Sequence, residues 1–133
     1  MSTDEEVLAT NLAFYAAFTD RDYDAMADVW ASEADVACLH PGWPLLEGRD
    51  EVLDSWARIL SNPSSPDVRC LNAKVRRVGE FAWVTCLEVL EDVQLAATNL
   101  FVREPAGWRM VHHQASPLPG RPPPVAEVDE TWN

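Results

Sequence analysis

The chain is short of basic residues and short of cysteine. Against 22 Asp and Glu it carries only 10 Lys and Arg, a formal net charge of -12, and a surface of that sign repels phosphate backbones and anionic lipid. Nucleic acid and membranes are therefore not expected as partners. The three cysteines, Cys38, Cys70 and Cys86, form an odd number without a CxxC pair or zinc-ligand spacing. Each sits in an apolar, strand-like stretch, so buried thiols are expected rather than disulfides or a metal centre. Also missing are a glycine-rich phosphate loop and a dinucleotide fingerprint, which leaves no cofactor to expect. The start, MSTDEEVLATN, lacks the basic and apolar segments of a secretory leader, and no apolar run reaches membrane-spanning length. A cytoplasmic, reduced protein is the expectation.

What the chain does have is apolar bulk. Hydrophobic residues make up 47% of 133, with six Trp, enough for one well-filled domain without staples. The first half has helical periodicity. Ser2 and Thr3 stand at capping-box spacing from Glu5 and Glu6, and Leu8, Leu12, Tyr15 and Ala16, flanked by Phe14 and Phe18, recur as an apolar stripe. Asp22 is placed to cap a second helix carrying Tyr23, Met26, Ala27 and Trp30. Asp35 to His40 reads as a short strand ended by Pro41-Gly42. Asp50 is placed to cap a third helix with Val52, Leu53, Trp56, Ile59 and Leu60 on one side.

After the SNPSSP loop the period changes to two. Val68 to Val78, Phe81 to Glu91, Gln94 to Arg103 and Trp108 to Ser116 are four strand-length runs separated by turns, which predicts an antiparallel meander. The last turn, Glu104-Pro105-Ala106-Gly107, has Pro to fix φ and Gly to take a positive one. The run from Phe81 is apolar on both faces, so the sheet is expected to be covered on both sides, by three helices and by a second copy of the chain in a homodimer. The alternative cover is the proline-rich tail, Pro117 to Asn133, of which the acidic stretch, residues 120–133, is expected to be mobile or loosely docked.

Chemistry-bearing residues are few. Alternation along the last strand sends Trp108, Met110, His112 and Gln114 to one face and Arg109, Val111, His113 and Ala115 to the other. One of the adjacent histidines therefore faces the interior and the other the dimer side, and a bulge would exchange them. His40 ends the first strand where a side chain reaches a cavity mouth. Glu88, in an apolar strand, either pairs with a base such as Arg109, the favoured case, or has a raised pKa suited to proton transfer. Asn99 either ties strands together or orients a ligand. Trp30, Trp43 and Trp56 are aromatic candidates for a cavity wall, and only Trp43, on a loop, resists explanation as plain core. Cys38 and His40 lie two apart on one strand face, too few ligands for a metal.

The order helix, helix, short strand, helix, meander resembles the NTF2-like superfamily and its SnoaL-like branch. The likeness rests on His40-Pro41-Gly42-Trp43, Gly48-Arg49, Ser55-Trp56, Ala97-Thr98-Asn99 and Gly107-Trp108-Arg109, and it runs from about Glu5 to Pro119, with residues 1–119 read as a single domain. The resemblance implies an α+β cone: a curved antiparallel sheet wrapped round the N-terminal helices, with an apolar cavity at the wide end and dimerisation through the outer sheet face. It also implies two kinds of function. One is cofactor-independent acid/base catalysis by an isomerase, lyase, cyclase or hydrolase on a small apolar carbonyl or hydroxyl compound. The other is a non-catalytic binding or dimerisation module. Members similar to ketosteroid isomerase use a tyrosine beside acidic groups; Tyr15 and Tyr23 are the tyrosines available here. The paired histidines resemble a dehydratase arrangement. Catalysis is thus expected of His40 with His112 or His113, and ligand contact of Tyr15, Trp30, Trp43, Trp56, Glu88, Asn99 and Gln114.

Overall fold

A computed structural model of the protein describes residues 2–122. The chain runs α1 (Thr3–Asp20), α2 (Tyr23–Val29), β1 (Ala37–Leu39), β2 (Leu46–Glu47), α3 (Arg49–Ser61), β3 (Arg69–Val78), β4 (Phe81–Leu90), β5 (Val93–Glu104) and β6 (Gly107–Leu118). The strands form one sheet in the order β2-β1-β6-β5-β4-β3. All neighbours are antiparallel except β1 and β6. The predicted α+β cone is the fold found. The expectation of a loose tail falls, from residue 123 onward, outside the described residues.

Local chemistry sets the helix starts. Ser2 accepts the Glu5 N–H while the Glu5 carboxylate accepts the Ser2 N–H, so the capping box forms. Asp22 caps α2 through the Ala25 N–H, as its position in the sequence suggests. The third helix differs from expectation, because its cap is Gly48 rather than Asp50. Gly48 has φ +91° and donates its N–H to Val36 O. That left-handed backbone, which glycine adopts without a Cβ penalty, lets the two-residue strand β2 run straight into the helix. By residue pattern alone this stretch reads as a loop.

The buried stripe of α1 is Val7, Asn11, Phe14, Tyr15 and Ala17, with Leu8 and Phe18 partly buried and Ala16 exposed. It is rotated from the expected stripe and has a polar residue at its centre. This stripe, with Met26, Trp30, Val52 and Trp56, packs on the concave sheet face, where Ala82, Val84, Cys86, Ala97, Phe101, Trp108 and Met110 point inward. Burying each large side chain contributes roughly 1.5–3 kcal/mol.

Two charged side chains lock the segment between α2 and β1. The Arg49 guanidinium donates to Trp30 O (2.8 Å), Ala31 O (2.9 Å) and Ala27 O (3.1 Å), so the Gly48-Arg49 pair is explained by structure. The Glu104 carboxylate accepts the N–H groups of Ser32, Glu33 and Ala34. Arg49→Lys keeps the charge but not the fork that reaches three carbonyls. It is expected to lower stability by about 1–3 kcal/mol, measured by urea unfolding; an unchanged midpoint would show that the fork contributes nothing.

Candidate functional site

At the wide end of the cone a cavity of about 320 Å³ opens between α1, α3, the loop after β1 and the ends of β4 to β6. Its walls are Phe18, Pro41, Trp43, Ile59, Pro66, Val68, Leu90, Val93 and Leu95, and its polar side chains are His40, Glu88 and His113. All three are at least 95% buried. Polar groups this scarce in an apolar wall define where a ligand's own polar atoms must go.

His113 reaches the cavity because β6 carries one extra residue. Leu100 pairs with His112 and Phe101 with Met110, leaving Val111 without a partner on β5. Met110 O accepts the Ala31 N–H before the parallel pairing with β1 begins at His112. The bulge reverses the alternation, so Trp108 and Met110 point inward and so do His113 and Ala115. His112 and Gln114, expected on the face of Trp108, lie instead on the convex face, where Nε2 of His112 is 3.0 Å from Gln114 Oε1.

Behind the cavity wall runs a buried polar chain. His113 Nδ1 lies 2.6 Å from Asn99 Oδ1. An amide oxygen only accepts, so His113 carries its hydrogen on Nδ1 and keeps a lone pair on Nε2. The Asn99 amide then donates to Asn11 Oδ1 (2.8 Å) and to the Tyr15 hydroxyl (3.1 Å). Tyr15 in turn donates to Glu88 Oε2 at 2.6 Å. Asn11 donates to Cys70 Sγ. The second histidine is held by α3: His40 Nε2 is 2.9 Å from Ser55 Oγ, and Ser55 gives its hydrogen to Val52 O at 2.6 Å. Ser55 therefore accepts, and His40 holds its hydrogen on Nε2 with a lone pair on Nδ1. Trp56 stacks edge-on to His40 at 4.8 Å, and Phe14 lies 4.8 Å from His113.

Electrostatics then separates the three groups. Burial pushes His40 down to about 4. Burial, with repulsion from His40 and His112, pushes His113 down to about 3. Burial pushes Glu88 up to about 7, against the Tyr15 hydrogen bond that favours the carboxylate. The Tyr15 hydroxyl itself is raised well above its ordinary value, by burial and then by Glu88. His113 Nε2 and Glu88 Oε2 are 3.8 Å apart, beyond a hydrogen bond, and with His113 neutral they form no ion pair. Both histidines are thus uncharged near neutrality, and the group that changes protonation there is Glu88.

Against the sequence expectations, the structure brings His40, Trp43, Glu88 and His113 into one cavity. It places Tyr15, Asn99 and Trp56 one layer behind, and Trp30 in the core beside Met110. Glu88 is not paired with Arg109, whose guanidinium instead donates to Trp108 O and Ala106 O. Asn11 and Ser55, which position the histidine network, are site residues that sequence reasoning missed. Asn11 breaks an apolar helix stripe, and that polar interruption was the available signal. Cys38 Sγ lies 3.7 Å from His40 Nε2, its thiol pushed up to about 12 by burial and the Glu88 charge. Among the described residues no three His, Cys, Asp or Glu side chains converge as a metal ion would need.

A cone of this architecture, with its cavity at the open end, is the NTF2-like, cystatin-like fold. Residues 7–119 match the SnoaL-like domain family, and the chain belongs to it. Among solved structures it is similar to a candidate dehydratase of the NTF2-like family from Streptomyces avermitilis, at 34% identity and TM-score 0.82, covering 88% of this chain and 96% of that one. It is similar also to a candidate calcium/calmodulin-dependent protein kinase type II association domain from Thiobacillus denitrificans, at 35% identity and TM-score 0.73, covering 84% and 94%. A curated relative, F-box protein SKIP8 of Arabidopsis thaliana, is 29% identical over 117 residues, which are 86% of this chain. The chain spans about half the length of that relative, 51%.

Because the Glu88 carboxyl is raised in the folded state, folding takes up a proton between the unfolded value, about 4.3, and about 7. Its contribution to stability is full below the lower value and is lost as pH rises through the upper one. The protein should therefore lose stability relative to Glu88→Gln across that window, on the order of 3 kcal/mol. Urea unfolding of both chains at several pH values reads this directly. A difference that stays constant with pH would contradict the raised carboxyl.

Proposed function

We propose that the protein binds a small apolar molecule in this cavity and moves a proton on it without a cofactor. The observation that carries the reading is the lining itself: one carboxyl poised near neutrality and two neutral imidazoles in an otherwise apolar wall. A general acid or base works best when its pKa lies near the operating pH. Glu88, at about 7, meets that condition better than either histidine.

In this reading Glu88 takes a proton from one atom of a carbonyl or hydroxyl compound and returns it to another, the economy of an isomerase or a lyase. His113 Nε2, fixed by Asn99, accepts a hydrogen from a substrate hydroxyl and orients it. Asn99 has both amide hydrogens and its oxygen engaged in protein hydrogen bonds, so it positions His113 rather than touching ligand. The similarity to a candidate dehydratase supports the lyase form.

Turnover can be sought by incubating a panel of apolar ketones and β-hydroxy ketones in deuterium oxide and following deuterium entry and water loss by NMR. With a substrate in hand, Glu88→Gln should cut the rate by about 10²–10⁴-fold while the fold is kept, because Gln still accepts from Tyr15. A ligand that binds and is never turned over, with Glu88→Gln changing affinity alone, would favour the non-catalytic module.

Assembly is the second part of the proposal. The convex sheet face carries Phe81, Trp83, Leu87 and Leu100 partly exposed, with Phe81 and Trp83 rings 6.0 Å apart. A two-fold homodimer would cover this face, and the similarity to a kinase association domain supports an assembling role. Sedimentation at micromolar concentration should give twice the chain mass of 14.9 kDa, and Trp83→Arg should give a monomer. A monomeric parent chain would remove the dimer.

A further inference from the structure

The polar lining of the cavity is one-sided in hydrogen-bonding sense. His113 has spent its hydrogen on Asn99 and His40 has spent its own on Ser55, so each imidazole keeps only a lone pair, that of His40 lying 3.9 Å from the Cys38 thiol. Glu88 is 3% exposed and takes one hydrogen bond, from Tyr15 to Oε2. Among the described residues no Lys or Arg lines the cavity. Arg58 stacks on the Trp43 ring, 5.0 Å from its centroid, beside a separate surface hollow. The titratable groups around Glu88 are Tyr15 on α1, Cys70 on β3, Cys86 on β4, Cys38 and His40 on and after β1, and His113 on β6. None of these is a cation at neutral pH, given how far burial lowers both histidines.

A buried carboxylate without a counter-charge, flanked by lone pairs in an apolar chamber, is a costly arrangement that a ligand can relieve. The ligand that does so brings positive charge and several N–H donors on an apolar body. We propose that the cavity is a site for a hydrophobic primary ammonium, with Glu88 as its counter-ion. The inference rests on the reading of the cavity as a ligand site and not on the proton-transfer step, and it gives Glu88 a second use, as the counter-ion of a bound ligand. A volume of about 320 Å³ accommodates a bicyclic aromatic or a medium alkyl chain, and the aromatic side chains Phe18 and Trp43 are part of the wall against which such a body would pack.

Three matched probes test it: 1-naphthylmethylamine, 1-naphthalenemethanol and 1-naphthoate, bound to the full chain and measured by isothermal titration calorimetry. At about pH 8 the amine is cationic and Glu88 ionised. The amine should then bind about tenfold or more tighter than the alcohol, as a charge-assisted hydrogen bond implies, and the acid weakest. Lowering the pH to about 5.5, well below the Glu88 midpoint, should erase the preference. Near neutrality, titration of the amine in two buffers of different ionisation enthalpy should show proton release that the alcohol does not cause. Glu88→Gln should bind amine and alcohol alike, and the pH and buffer comparisons on the parent chain test the same preference if that variant does not fold. An alcohol bound as tightly as the amine at about pH 8 would overturn the ammonium inference and leave the cavity reading standing. Failure of all three probes to bind would overturn both.

Discussion

The candidate site depends on one irregularity, the extra residue at Val111 in β6. A regular strand would have turned His112 into the cone and His113 out of it. Because Met110 O is taken by Ala31 N–H while His112 starts a new pairing with β1, the strand slips by one residue there. His113 thereby faces Asn99 across the strand pair. The chain from Asn11 through Asn99 to His113, and from Asn99 through Tyr15 to Glu88, is complete only in that register. Bulges of this kind re-aim side chains next to functional sites in other folds as well.

The second constraint is dielectric. Enclosure in the cone raises a carboxyl and lowers an imidazole for the same reason, since each is pushed toward its uncharged form. Here it leaves His40 and His113 as neutral acceptors and brings Glu88 into the neutral range. The sequence points to His40 with His112 or His113 for acid/base work; burial lowers His40 and His113 and raises Glu88, and for that reason the proposed function gives the proton to Glu88 instead.

Much of the fold was legible in the sequence because it is written in periodicity and turn chemistry. The meander, the Ser2 and Asp22 caps and the hairpin at Pro105 each rest on local residue preferences, and strands β3 to β6 fall where the period-two runs lie. The strand β2 and the Gly48 cap were not legible, because two residues are too few for a pattern and a glycine cap looks like a turn. The site was legible as residue types. His40, Glu88, Asn99 and the histidine pair stood out as polar groups in apolar strands. Which of them share a space depended on a bulge, which has no signature in one sequence, and on tertiary pairing between α1 and β5, whose one trace is the polar break Asn11 makes in the helix stripe.

Where the titrating proton sits decides between a carboxylate-centred site and a histidine-centred one. NMR with carbon-13 in the Glu88 carboxyl and nitrogen-15 in the imidazoles, recorded across the pH range, measures this directly. A carboxylate-centred site predicts a Glu88 midpoint near 7, with His113 remaining the neutral Nδ1–H form throughout that titration. A Glu88 that titrates as an ordinary carboxylate, with His113 gaining its proton near neutrality, would contradict it.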